Sequence, residues 1–190
     1  MEVQNNHYTF CSKKYLNTLW GAPEIWLRDL HIVDSSKRPS RFLIQKLVFG
    51  EFQDDLQFPL DFIVEGGKMK REVFEMRYPS AFLIADSVMN LFQESGITGW
   101  QPYDVIVRRK NGEEVTGFHG ISFTGRNPET PSSDDVAPDF FRLDPGMLYI
   151  ICSQRVVDLL RKNKMLKAFD VKEINETTNK KIFDCINFPK

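Results

Sequence analysis

The sequence predicts an α+β fold, a mostly antiparallel sheet with two short amphipathic helices in a repeated strand-helix-strand unit. Three observations carry this. FLIA (82–85) and LYIIC (148–152) are compact apolar runs of strand length. Each is followed at once by a stretch with apolar residues at helical spacing. Elsewhere, short apolar or alternating segments are separated by Gly, Pro and Asn turns.

In chain order, the first 50 residues mix short apolar runs with turn formers, and TLWGAPEIWL sets Trp20 and Trp26 around a Gly-Ala-Pro break. Strands and irregular structure are expected there. Ser40 to Phe52 reads as a strand bent near Gly50. Leu60, Phe62 and Val64 alternate with Asp61, Ile63 and Glu65, and the Gly66-Gly67 turn leads on to Val73. That pattern predicts a hairpin.

After FLIA, the stripe Val88, Leu91 and Phe92 predicts a short helix, with Asp86 or Ser87 as its N-cap and Gly96 as the left-handed residue that ends it. GWQPYDVIVRR then reads as a strand joined through Asn111-Gly112 to EEVTGFHGISF as a second hairpin. Thr124 to Pro145 contains four prolines and reads as a long loop anchored at Phe140-Phe141. LYIIC and SQRVVDLLRKNK restore the strand and helix, with Ser153 as cap, and LKAFDVKEI closes the unit as a strand. The tail from Asn175 suits a last edge strand or a packing arm.

Shifting the chain on itself by 68 residues pairs 82–106 with 150–174, laying Val88 on Val156, Leu91 on Leu159, Phe92 on Leu160, Ile97 on Met165 and Ile106 on Ile174. Apolar faces apolar at eleven of the 25 paired positions and three are identical, so the match is one of pattern. Duplication and convergence both produce such a pattern. In either case each helix has one apolar side that must lie on a sheet.

The bulk numbers bound the function. A chain of 190 residues with 42% apolar residues and 16 Phe has material for one packed domain spanning 1–190. A formal net charge of -1 supplies no overall field that would favour nucleic acid or an anionic membrane as partner. No run approaches the roughly 18 apolar residues of a membrane span, and MEVQNNHYTF lacks the pattern of a secretory signal. Cys11, Cys152 and Cys185 are odd in number and without paired short spacing. Reduced thiols in a cytoplasmic protein are the expectation.

The candidates for chemistry are few. His119 in GFHGISF is the leading one, since Gly117 and Gly120 allow close approach and an imidazole works as acid or base near neutral pH; pairing with a carboxylate is its structural alternative. His7 with Cys11 and His31 with Asp34 lack a second pair nearby, so no metal is expected. Glu113 and Glu114 are adjacent on a strand and point to opposite faces, which suits solvated charges beside a turn. Cys152 sits in an apolar run and reads as core, Ser153 as a cap. No phosphate-cradling glycine motif occurs, and no cofactor is expected.

The residues IICSQRVVDLLRKNKMLKAFDVKEI and FLIADSVMNLFQESGITGWQPYDVI resemble a unit found in bacterial immunity proteins, families eleven and forty-three of the polymorphic-toxin classification. The likeness covers roughly 60–175, and its strongest element is Cys152-Ser153-Gln154-Arg155-Val156 followed by Leu159-Leu160. Ala85 stands where the second copy has Ser153, and Gly96 and Gly99 where it has Lys164 and Lys167. The resemblance implies a cytoplasmic antidote, not an enzyme, that binds a cognate toxin domain and occludes its active site. It carries over no binding residue by position.

On charge and aromatic character the candidate partner-binding residues are Asp134, Asp135 and Arg126 in the Pro-rich loop, Trp100, His119, and Lys162 in the basic run Arg155, Arg161, Lys162, Lys164 and Lys167. A solvated helix face is the plain alternative for that run. Two other readings stand beside the antidote: a small hydrolase or transferase using His119 with Glu114 or a loop carboxylate, and an adaptor that binds a protein for other reasons.

Overall fold

A computed structural model describes residues 6–13, 17–28, 46–51, 57–76, 82–125, 137–142 and 150–174, and every structural statement below is made of those residues. The fold is α+β. Eleven strands form two sheets, one of order β11-β1-β10-β9 and one of order β6-β8-β5-β4-β2-β3-β7. Their ranges are β1 His7–Ser12, β2 Trp20–Pro23, β3 Leu60–Gly66, β4 Val73–Met76, β5 Phe82–Ala85, β6 Trp100–Tyr103, β7 Val105–Arg108, β8 Phe118–Phe123, β9 Phe140–Arg142, β10 Ile150–Ser153 and β11 Phe169–Glu173. The helices are α1 Glu24–Arg28, α2 Asp86–Glu94 and α3 Gln154–Lys162. Pairing is antiparallel except between β2 and β4 and between β3 and β7.

The repeat is larger than the sequence pattern indicates. β5 leads directly into α2 and on to β6, with antiparallel β8 inserted between β5 and β6. β10 leads into α3 and on to β11, with antiparallel β1 inserted between them. β4 flanks the first unit and β9 the second, so the orders β6-β8-β5-β4 and β11-β1-β10-β9 correspond strand for strand. The inserted strand follows its unit in the first case and comes from the N-terminus in the second.

Hydrogen bonds repeat with the strands. Ala85 N–H donates to Glu72 O at 2.9 Å, as Ser153 N–H does to Asp139 O at 2.8 Å. At the helix ends, Gly96 N–H bonds Gln93 O and Ile97 N–H bonds Phe92 O, both at 3.0 Å; Lys164 and Met165 repeat this on Arg161 and Leu160 at 3.1 and 2.9 Å. This is the paired bonding of a Schellman ending, in which the residue after the cap turns left-handed. Gly96 and Lys164 both have φ of 60°. Glycine enters that conformation without penalty, whereas lysine sets its Cβ against the backbone.

The match of Ile106 with Ile174 does not survive. Trp100 pairs with Phe123, and Phe169 pairs with Ser12 at the corresponding place, so the closing strands are related by one residue more than the helices. The extra residue is taken up in the 3-10 turn Leu166–Ala168. Ile106 lies in β7, which pairs with β3.

Three other expectations are corrected. β3 and β4 do not form a hairpin, because β2 lies between them. The Asn111-Gly112 turn closes only a short ladder, with Val115 N–H on Val107 O at 2.8 Å, after which β8 leaves to pair with β5 and β6. Within Ser40 to Phe52, residues 46–48 are helical: Phe49 and Glu51 both donate N–H to Lys46 O, and Gly50 has φ of 71°. Leu47, Val48 and Phe49 are all buried, and a turn inserted into the interior brings in three consecutive side chains. Residues 40–45 and 52 and the tail from 175 lie outside the described residues.

β6 and β7 are separated only by Asp104 yet stand at opposite edges of the larger sheet, so that sheet curls until its edges meet. Aromatic side chains join the two sheets. Phe10 of β1 stacks on Phe169 at 4.7 Å between ring centroids and meets Phe140 at 5.0 Å, Phe82 at 5.9 Å and Phe123 at 6.4 Å. The helices lay Val88 and Phe92, and Val156, Val157 and Leu160, against the same core.

Candidate functional site

Two equivalent crevices lie where the first turn of each helix meets the strand before it. In the second unit the crevice is closed around Asp139, whose carboxylate is buried. That carboxylate accepts hydrogen bonds from Thr98 N–H at 3.1 Å, Ser153 Oγ at 2.7 Å and Arg155 Nη1 at 2.8 Å. Asp139 N–H donates to Thr98 Oγ1 at 3.1 Å. Arg155 also donates to the carbonyls of Ser95 and Gly96 at the end of α2. A cation there satisfies carbonyls that the helix leaves without partners. Thr98, Ser95 and Gly96 belong to the first unit and Asp139, Ser153 and Arg155 to the second, so this network clamps the units together. Arg155 is therefore part of the scaffold. Ser153 Oγ also accepts from Val156 N–H, the cap that its sequence position predicts.

In the first unit the corresponding residues are Glu72 for Asp139, Ala85 for Ser153 and Ser87 for Arg155. The crevice here is an open groove of about 600 Å³. Lys70, Arg71 and Lys167 line it as cations, Glu72 and Asp86 as carboxylates, and Met69 supplies an apolar wall. Lys70 Nζ donates to Thr116 O at 2.6 Å and lies over the Phe118 ring. The N-cap of α2 is Ala85, which has no side chain to cap with. Neither Asp86 nor Ser87 is the cap, because the helix starts at Asp86 and its carboxylate is engaged elsewhere.

That engagement is with His119. His119 Nε2 lies 2.9 Å from Asp86 Oδ1, the histidine-carboxylate pair weighed from sequence. Asp86 borders the groove. Its meaning comes from the other unit. The ladders place His119 opposite Ile84 and Tyr8 opposite Cys152, so His119 corresponds to Tyr8, and Asp86 to Gln154. Tyr8 Oη donates to Gln154 Oε1. Both units therefore tie the inserted strand to the first helical residue, one with an ionisable pair and one with a neutral pair. Glu114 is not the partner of His119: it lies 3.5 Å from Arg108, and Glu113 lies 3.6 Å from Arg109.

Among the other candidates, Trp100 is half-buried, donates Nε1–H to Ile97 O at 2.9 Å and meets Phe92 edge-on at 5.4 Å. Lys162 is exposed on the last turn of α3. Arg126, Asp134 and Asp135 lie outside the described residues, as do His31, Asp34 and Cys185. Cys152 is fully buried, and burial, with the Asp139 carboxylate second, pushes its thiol far above the ordinary range. Cys11 is raised in the same direction, first by burial and then by Asp170. Among the described residues no three His, Cys, Asp or Glu side chains gather as metal ligands, and no helix is long and apolar enough to cross a membrane.

The sequence reading missed Asp139. Its position is the last polar residue before Phe140-Phe141, and the sequence signal available was Ser153 and Arg155, two polar residues beside a strand end that need an acidic partner. Compared with known proteins, the chain matches no family model, and no curated protein matches it.

Proposed function

We propose that this chain is a cytoplasmic immunity protein that binds a cognate bacterial toxin domain and occludes its active site. The observation that carries the reading is the correspondence of His119-Asp86 with Tyr8-Gln154. A tyrosine-glutamine pair has no acid or base suited to neutral pH, so the shared role of the two positions is to hold strand to helix. The most reactive-looking pair in the sequence is thereby accounted for as scaffold. What differs between the units is outward charge: Asp86 and Glu94 on α2 correspond to Gln154 and Lys162 on α3. Like scaffolds with unlike surfaces suit recognition of a protein, and an interface of ordinary size, about 800 Å² per partner, covers an enzyme cleft. The resemblance over 60–175 supplies the class of partner.

The test is co-expression in a bacterium with the product of the adjacent upstream gene. The reading expects that product to be lethal alone and harmless beside this protein. A product that is harmless alone, or still lethal in its company, contradicts it.

A second reading, a small hydrolase, has one observation in its favour: Asp86, the partner of His119, borders the open groove. It expects His119→Gln to abolish function while the fold is kept.

A further inference from the structure

Among the described residues two that are not glycine have a left-handed φ, Asn17 at 68° and Lys164 at 60°. Asparagine enters that region readily, and Asn17 O accepts the N–H groups of Lys68 and Met69 there. Lysine does not. The turn after α3 asks only for the backbone angle, since the bonds that close it are made by the N–H groups of Lys164 and Met165. The first unit makes the same turn with Gly96. The fold therefore explains the conformation at 164 but not the lysine side chain strained by it, and strain of this kind is a pointer to function.

The two helix ends also differ in what surrounds them. The end of α2 is enclosed, with Arg155 donating to the carbonyls of Ser95 and Gly96. The end of α3 is open. Its carbonyls at Leu159, Leu160 and Arg161 are met by backbone N–H groups, and Asn163 Nδ2 donates to Leu159 O as well, at 2.9 Å. Lys162 and Lys164 are both exposed, and neither ammonium group has a hydrogen bond or ion pair to a described residue. Asp158, the carboxylate on the same helix, is held by Arg161 and Gln154. Two uncommitted cations thus stand where the first unit has Glu94 and Gly96.

We propose that the open end of α3 is a contact between the protein and its partner, and that the Lys164 ammonium, with Lys162 two residues before it, receives carboxylates from an acidic segment of the toxin domain. Lysine is kept at a glycine position because its charge is used there. Complementary charge at such a point sets orientation and speeds encounter. A nucleic-acid backbone engages a longer run of cations than these two, and the formal net charge of -1 supplies no field for one. The proposal rests on the protein-binding reading above and names one of its contacts.

Stability and binding are expected to move in opposite directions. Lys164→Gly removes the strain and the charge together, so the urea midpoint rises while affinity for the purified product of the adjacent upstream gene falls by about fivefold or more. Lys164→Glu keeps the strain and reverses the charge, and weakens binding by about tenfold or more. Lys110→Gln, on the exposed Asn111-Gly112 turn, removes one charge elsewhere and binds within about twofold of the parent. Circular dichroism verifies that each variant is folded. If the parent binds and either Lys164 variant stays within about twofold of it, or Lys110→Gln loses as much as Lys164→Gly, the end of α3 is not the contact and the antidote reading stands without it. If the parent itself does not bind, the antidote reading and this proposal fall together.

Discussion

Removing the Asp139 carboxylate should loosen the joint between the two units. Its oxygens accept the Thr98 N–H at 3.1 Å, the Ser153 hydroxyl at 2.7 Å and the Arg155 guanidinium at 2.8 Å. The side chain of Asp139 is 8% exposed and that of Arg155 is 55% exposed. The ion pair is thus partly screened and is assigned at most about 1 kcal/mol. Hydrogen bonds from the two neutral donors, both part-buried, to an ionised acceptor contribute about 1.5 kcal/mol each. Asp139→Ala is therefore expected to cost about 3–4 kcal/mol, and Arg155→Ala about 1 kcal/mol. Ser153→Ala, which loses both a cap and one of these bonds, should cost about 2 kcal/mol, and combined with Asp139→Ala should cost less than the sum. Urea denaturation at constant slope measures the three single variants and the double. An Asp139→Ala cost below about 1 kcal/mol would refute the view that this carboxylate clamps the units together.

Three further outcomes follow from the paired units. Lys164→Gly relieves a left-handed lysine at a position where the first unit has Gly96, and should raise stability by about 0.5–1 kcal/mol in the same urea assay; a loss would contradict the matched helix ending. The double variant His119→Tyr with Asp86→Gln transplants the neutral pair of the second unit into the first, and should keep both the fold and the protection that the proposed antidote function expects; loss of protection with the fold intact would restore a chemical role to His119. Burial lowers the proton affinity of His7, which meets Phe141 edge-on at 5.0 Å. The unfolded chain then takes up this proton before the folded one does. Its contribution to stability is present above the ordinary imidazole value near pH ~6.5 and is lost as pH falls through and below it. His7→Phe should flatten that part of the stability-pH curve, and an unchanged curve would remove the assignment.

The local features of this fold were readable because each is decided by neighbours in the chain. The strand into helix at 82–94 and at 150–162 is written in compact apolar runs followed by stripes, and the endings at Gly96 and Ser153 follow from what those positions require of φ and of a capping oxygen. The inserted strands were not readable as members of the repeat. β1 reaches β10 and β11 across most of the chain, and β8 follows its unit where β1 precedes, so no fixed shift of the sequence superposes them. The false hairpin at Leu60 to Val73 has the same origin: alternation and a Gly-Gly turn specify two strands, and only the arrival of β2 decides that they do not pair.

The site was legible in pieces. His119 was recognisable by residue type, but its partner Asp86 lay in a stretch read as a helix cap. Asp139 fell in a segment read as loop, and Arg155 in a run read as a solvated face. Asp139 and Arg155 acquire their roles from contacts between units, and His119 from a strand-to-helix contact within its own unit, none of which residue type and local spacing encode.

The most direct test of the central claim, that the protein acts by binding and covering its target, is a titration of toxin activity. Purified upstream-gene product is held at a fixed concentration well above the dissociation constant, and its activity is followed as this protein is added. Occlusion predicts a straight decline that reaches zero at one equivalent, whatever the incubation time. Loss of activity at a small fraction of an equivalent, deepening with time, would show turnover and contradict the account.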